Sequence, residues 1–196
     1  MRIGGFVPFT SIDYPGELAA VVFCQGCPWR CSYCHNTHLL PGNSASLLDW
    51  DEILEELKQR SGFLDAVVFS GGEPCAQRDL SMAITQVRSM GYKVGLHTAG
   101  IYPSRLKYLL PMLDWVGLDI KELPQQYESV TGIPGSGEKA WDSLKLLLKS
   151  RIPFQVRTTL YPGMPGRHLA ELDQQFTELG VEDHRYQDCR PVPIQQ

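Results

Sequence analysis

Short, wholly apolar runs alternate along the chain with stretches in which apolar residues recur every three or four positions. Residues 18–23 (LAAVVF) form a run of the kind that a strand buried on both faces requires. Trp50, Ile53, Leu54 and Leu57 then fall at helical spacing, with Ser46 placed to cap the helix and Gly62 to stop it. Residues 64–70 (LDAVVFS) predict a second strand. Residues 79–90 predict a second helix, with Leu80, Ala83, Ile84 and Val87 on one face and Gly91 at its end. A third strand over 92–98 (YKVGLHT) and a short helix over 103–110 follow. The pattern continues with a strand at 115–120 (WVGLDI), a helix at 138–149 carrying Leu144, Leu147 and Leu148, a strand at 153–160 (PFQVRTTL) and a helix at 168–179. An extended segment is expected around 184–186.

Strand followed by helix, repeated five or six times, predicts an α/β architecture with all strands parallel and right-handed crossovers. A closed eight-fold barrel usually takes ~250 residues, and this chain has 196. The expectation is therefore an incomplete (β/α)6 barrel, with residues 1–196 as a single domain, since no repeat, linker or low-complexity stretch divides them. In such sheets the chemistry sits beyond the carboxyl ends of the strands. The polar clusters obey that rule. Cys24, Cys27, Cys31 and Cys34 follow the first strand, and Ser70-Gly71-Gly72-Glu73-Pro74 the second. His97-Thr98-Ala99-Gly100 ends the third, Asp119 and Lys121 end the fourth, and Arg157 lies on the fifth ahead of Pro162-Gly163. All are predicted to meet on one rim.

A composition 43% hydrophobic and 20% charged supports one sizeable core and excludes a disordered chain. The charge balance, 18 basic against 22 acidic residues, leaves no cationic surplus for nucleic acid. No apolar run reaches the ~18 residues of a membrane span, and the first residues show no signal-peptide pattern. A soluble, cytoplasmic protein without a membrane partner is expected. Of six cysteines, four fall within the eleven residues 24–34. Such crowding suits a metal or cluster in a reducing compartment better than disulfides, which close long loops.

Cys27, Cys31 and Cys34 form a C-x3-C-x2-C run. Three thiolates at this spacing suit three corners of a [4Fe–4S] cubane and leave one iron open for a small molecule. A four-cysteine zinc site that includes Cys24 is the alternative, although only Pro28, Trp29 and Arg30 separate the two CxxC pairs. Under the cluster reading Cys24 is a buried strand-end thiol, and Cys75 and Cys189 are core or surface cysteines. Gly71 and Gly72 allow backbone to approach a ligand closely, and Glu73 offers a negative group to an ammonium. Thr98 is a candidate hydrogen-bond donor. Asp119 and Lys121 are either ligand contacts or an ion pair. Arg157, on an otherwise apolar and hydroxyl-bearing strand, requires a carboxylate partner. His35 is expected to pack against the loop. Trp29 either shields a cluster or forms part of a docking surface.

The cysteine spacing, the aromatic Tyr33 before Cys34 and the Gly71-Gly72-Glu73 motif one βα unit later resemble the radical SAM superfamily. Thr10-Ser11-Ile12-Asp13-Tyr14-Pro15-Gly16, Phe23-Cys24-Gln25-Gly26, Val130-Thr131-Gly132 and Val156-Arg157 carry the resemblance further. They are similar to activating proteins of glycyl radical enzymes, in particular those of anaerobic ribonucleoside-triphosphate reductases. The resemblance implies one [4Fe–4S] cluster on Cys27, Cys31 and Cys34, and S-adenosylmethionine bound by its amino and carboxylate groups to the open iron. Tyr33, Gly71, Gly72, Glu73, Thr98, Asp119, Lys121 and Arg157 are the implied cofactor-binding residues, Glu73 facing the ammonium. It also implies reductive cleavage to a 5′-deoxyadenosyl radical that takes a glycine hydrogen from a partner glycyl radical enzyme, with flavodoxin or ferredoxin as electron donor. No catalytic side chain beyond the cofactors is implied.

Two features depart from related activases. His97-Thr98-Ala99-Gly100 stands where Asp-Thr-Asn-Gly is common, and residues 35–69 contain no further cysteines for an auxiliary cluster. A radical SAM enzyme acting on a small molecule, such as a 7-carboxy-7-deazaguanine synthase-like protein, is the alternative enzyme, and a zinc-stabilised binding module the non-enzymatic one. The shortness of the chain favours a protein substrate, because few residues remain to enclose a free metabolite.

Overall fold

The computed structural model describes residues 1–44 and 47–189, and its strands form one sheet in sequence order. β2 (Ala19–Cys24), β3 (Ala66–Gly71), β4 (Lys93–Thr98), β5 (Trp115–Asp119), β6 (Phe154–Leu160) and β7 (His184–Asp188) each run parallel to the next. Between them lie α1 (Trp50–Gln59), α2 (Leu80–Ser89), α3 (Pro103–Leu109), the short α4 (Tyr127–Thr131), α5 (Ser136–Leu148), and α6 (Gly166–Leu179). The sheet curls without closing, as an incomplete barrel should.

One strand breaks the all-parallel expectation. β1 (Ile3–Thr10) pairs antiparallel with β2, with register shifts between Ile3 and Gly5 and between Val7 and Thr10. Two glycines and Pro8 are unusual in a strand, but β1 is an edge strand, where an absent N–H costs no ladder bond. At Gly4, in the first irregularity, a Cβ would lie 2.3 Å from Gln25 Oε1 and 2.5 Å from Leu39 Cδ2, so a side chain there would have to displace both. The expected cap of α1, Ser46, lies outside the described residues. Asp49 caps the helix, its carboxylate accepting from Asp51 N at 2.7 Å.

Alternation along the strands builds two faces. Ala20, Val22, Val67 and Phe69 join the large core beneath the helices, with Leu57, Ile84, Leu144 and Leu172 packed onto it. Ala19, Val21, Ala66 and Val68 face inward, where the Tyr14 and Trp115 rings meet at 5.2 Å, tilted by 30°, and complete a small inner cluster. Each fully buried Val, Leu or Ile contributes roughly 1.5–3 kcal/mol, so the apolar runs alone fix the barrel wall. Further along the same inward parity come Ser70, His97, Asp119 and Arg157. The change from apolar to polar along each strand leaves the carboxyl end of the barrel open.

Candidate functional site

A cavity of about 490 Å³ occupies that end, and Cys27, Cys31 and Cys34 all line it. Cys24 does not: it lies at the end of β2, paired in register with Ile3 and Gly71, and its side chain is fully buried. Burial pushes the Cys24 and Cys31 thiols up, and the Cys27 thiol up to about 12. Bound iron would replace the thiol protons that burial retains. Among the described residues no three His, Cys, Asp or Glu side chains converge on a single ion. Three thiols lining one cavity suit the three protein-held corners of a cubane, and the absence of Cys24 from that lining weighs against a four-thiol zinc knuckle.

Backbone contacts on several sides hold the cysteine loop. Gly26 N and Cys27 N donate to Leu39 O and Leu40 O at 2.8 and 3.1 Å. Arg30 N and Ser32 N donate to Thr131 O and Val130 O, both at 3.0 Å. The short helix α4, which lacks enough length to show periodicity in sequence, is thus a support of the loop. Trp29 is 1% exposed and packs edge-on against Tyr127 at 5.7 Å. At that burial it offers no surface to a docking partner.

Gly71 and Gly72 form another wall of the cavity. Gly72 N donates to Cys24 O at 2.9 Å and Glu73 N to Gly26 O at 3.0 Å, which draws this segment onto the start of the cysteine loop. A Cβ on Gly72 would stand 2.5 Å from Gly26 O, and one on Gly71 2.5 Å from Cys24 N. The glycines present backbone alone to the cavity, because a side chain at either position would run into the backbone of Cys24 or Gly26.

Glu73 stands behind the glycine wall. Its carboxylate is fully buried and does not line the cavity. Oε1 accepts from Cys75 N at 2.9 Å and from the Thr98 hydroxyl at 2.7 Å, and Oε2 accepts from Ala99 N at 3.0 Å. Burial raises its pKa against the opposing pull of these donors. The carboxylate fastens the end of β3 to the end of β4. Thr98 lines the cavity, yet its hydroxyl is spent on Glu73 and on Gly100 N, which donates to it at 3.0 Å. Glu73→Gln leaves one oxygen and an amide donor facing these three donors. A stability loss of about 1–3 kcal/mol is expected in urea denaturation, and an unchanged midpoint would remove this role.

Asp119 and Arg157 are register partners on adjacent strands, so their side chains share the inward face. Arg157 Nε and Nη2 meet Asp119 Oδ1 at 3.0 and 2.8 Å, and Lys121 Nζ stands 3.7 Å from Oδ2. Burial favours the neutral Asp119 carboxyl, but Arg157 and Lys121 outweigh it and hold the pKa down. Burial likewise opposes charge on Lys121, and Tyr33, Cys31 and Asp119 reverse the balance, raising its pKa. The expected partner of Arg157 is therefore internal, and the rim carries two cations against one carboxylate. His97 completes the group: burial, then Arg157, lower its pKa to about 3, so the ring is neutral. Its Nε2–H donates to Asp13 O at 2.8 Å, while Nδ1 faces Ser70 Oγ at 3.3 Å. Gly117 leaves the room, since a Cβ there would lie 3.0 Å from His97 Cδ2.

Tyr33 lines the cavity with its hydroxyl buried beside Thr159 and without a hydrogen bond of ordinary geometry. His35 lines the cavity as well, as does Cys189 beyond β7, whereas Cys75 is core. The volume lies within the usual range for one small ligand, larger than the short chain led us to expect. Three thiols, a glycine backbone wall and a cationic rim around one space fit a cluster with a zwitterionic ligand.

Residues 21–176 match the family model described as the radical SAM superfamily. The chain is 30% identical over 205 aligned positions to a protein of Methanocaldococcus jannaschii described as a glycyl-radical enzyme activating enzyme, covering 99% of this chain and 79% of that protein. It is 31% identical to the pyruvate formate-lyase-activating enzyme of Streptococcus mutans, covering 88% of this chain and 68% of the relative. Among solved structures, Streptococcus suis SuiB bound to S-adenosylmethionine superposes with a TM-score of 0.69 at 15% identity, covering 87% of this chain and 40% of that one. Native anSMEcpe with bound AdoMet gives 0.69 at 18% identity, covering 88% and 51%. At these identities the structures speak for the fold, and this chain spans about half or less of their length.

Proposed function

The chain belongs to the radical SAM superfamily, and on that premise we propose that it activates a glycyl radical enzyme by taking a hydrogen atom from a glycine of that partner. Membership implies a [4Fe–4S] cluster and S-adenosylmethionine. The observation that carries the reading is the shared cavity, with Cys27, Cys31 and Cys34 on one wall, Gly71 and Gly72 on another, and Lys121 and Arg157 at the rim. The three thiols would hold the cluster. The backbone of Gly71 and Gly72 would accept from the methionine ammonium, and the cationic pair would face its carboxylate, with Tyr33 beside them. Glu73 and Thr98 would keep these walls in place. When bound, the cofactors supply the electron and the 5′-deoxyadenosyl radical, and the chain's own residues orient them and exclude water.

An anaerobic ribonucleotide reductase is the partner we favour, on the motifs from Thr10 to Gly16 and from Phe23 to Cys34, with flavodoxin or ferredoxin as donor. A single radical SAM domain over 1–196, working in the reducing cytoplasm, accords with the crowded free thiols. Among the described residues no helix is long and apolar enough to cross a membrane. The test is anaerobic incubation with a reductase deuterated at glycine α-carbons. Deuterium is expected in 5′-deoxyadenosine, together with a glycyl radical signal in electron paramagnetic resonance. Deuterium arriving from a small metabolite with no partner protein present would replace the activase with a synthase.

A further inference from the structure

Tyr161, directly after β6, lies outside every motif considered so far. Its ring stacks on Tyr33 at 5.3 Å between centroids and 5° between planes. The Lys121 ammonium stands 5.7 Å from the centroid of the same Tyr33 ring. Tyr33 immediately precedes Cys34, so whatever fixes its ring also fixes the last thiol of the cysteine loop and the nearby cation. The Tyr161 hydroxyl donates to Glu122 Oε2 at 2.6 Å, and His168 Nδ1 meets the same oxygen at 3.1 Å. Glu122 is fully buried, its Oε1 accepting from Leu123 N at 2.8 Å, and its carbonyl accepts from Trp141 Nε1 at 3.1 Å. One buried carboxylate thus joins the segment after β5, the segment after β6 and the first turn of α6, and Tyr161 carries that rigidity to the cysteine loop.

We propose that Tyr161 is a positioning residue for the cysteine loop, setting the place of Tyr33 and Lys121 and through them the affinity of the cavity for S-adenosylmethionine. The inference rests on the radical SAM reading of the cavity. Stacked aromatic rings favour offset, near-parallel geometry and supply contact beyond simple area burial. The hydroxyl bond to Glu122 orients the ring, but the stack itself makes the contact with the loop.

The test compares Tyr161→Phe, which keeps the stack and loses the Glu122 bond, with Tyr161→Leu, which loses both. Tyr33→Leu and the double Leu variant close the cycle. Each protein is reconstituted anaerobically, its iron counted, and its S-adenosylmethionine affinity titrated by the change in the reduced cluster's paramagnetic resonance spectrum. Tyr161→Leu is expected to retain its iron and bind roughly tenfold more weakly, Tyr161→Phe to stay within about threefold of the wild type, and the double variant to be no worse than either single. Wild-type affinity in Tyr161→Leu, equal losses in Phe and Leu, or additive losses in the double variant would each overturn the proposal. A wild-type chain that takes up no cluster would instead sink the radical SAM reading beneath it.

Discussion

Replacing Cys27, Cys31 or Cys34 by alanine is expected to abolish cluster assembly, with reconstituted iron falling from about four per chain to near zero. Cys24→Ala is expected to keep the full complement. The three loop thiols line the cavity, and each would supply one corner that no neighbouring group replaces. Cys24 is held in the β2 ladder, with Gly71 as its register partner and its side chain fully buried. Truncating it removes one small buried sulfur and is expected to cost on the order of 1 kcal/mol of stability, without touching the site. Iron and sulfide analysis after anaerobic reconstitution decides the matter. Equal loss from Cys24→Ala and Cys31→Ala would return Cys24 to the ligand set, and zinc bound by all four would end the cluster reading.

Gly72→Ala is expected to damage the site through the backbone and not through lost chemistry. The new Cβ would lie 2.5 Å from Gly26 O and 2.7 Å from Gly26 C, atoms that cannot swing aside as a side chain could. Relief requires separating the Gly71–Glu73 segment from the cysteine loop, which breaks the 2.9 Å bond from Gly72 N to Cys24 O and the 3.0 Å bond from Glu73 N to Gly26 O. Overpacking of this kind costs about 1–3 kcal/mol, and the displaced wall should also lower S-adenosylmethionine affinity by at least tenfold. Gly71→Ala adds backbone strain, because its φ is +110° and its Cβ would meet Cys24 N at 2.5 Å. Gly163→Ala is the control: φ is +88°, nothing lies within 4 Å of the added carbon, and only strain of about 1 kcal/mol is expected. Urea midpoints and ligand titrations on the three variants separate the two causes. If Gly72→Ala behaves like Gly163→Ala, the close approach of the two segments is not what the site depends on.

The barrel wall from β2 to β5 was legible because those strands are buried nearly throughout, so each announces itself locally as a largely apolar run, and helical spacing marks the elements between them. The spacing of Cys27, Cys31 and Cys34 is equally local, since three ligands in one loop need no fold to be counted. Features that depend on a partner elsewhere were not legible. β1 carries two glycines and Pro8, and becomes a strand only because β2 offers one edge to pair with. α4 is one short turn whose carbonyls matter because the cysteine loop lies against them. Glu73 sits in the expected motif, and the bonds of its buried carboxylate to Thr98 and Ala99 exist only because β4 ends beside β3. The pairing of Asp119 with Arg157 follows from the parallel register of β5 and β6, and the stack of Tyr161 on Tyr33 joins two segments far apart in sequence. Sequence by itself determined which elements form and which chemistry they carry, because burial and ligand type are properties of short segments. The direction in which each polar side chain points was decided only in the tertiary structure, since strand parity and register are set by neighbours tens of residues away.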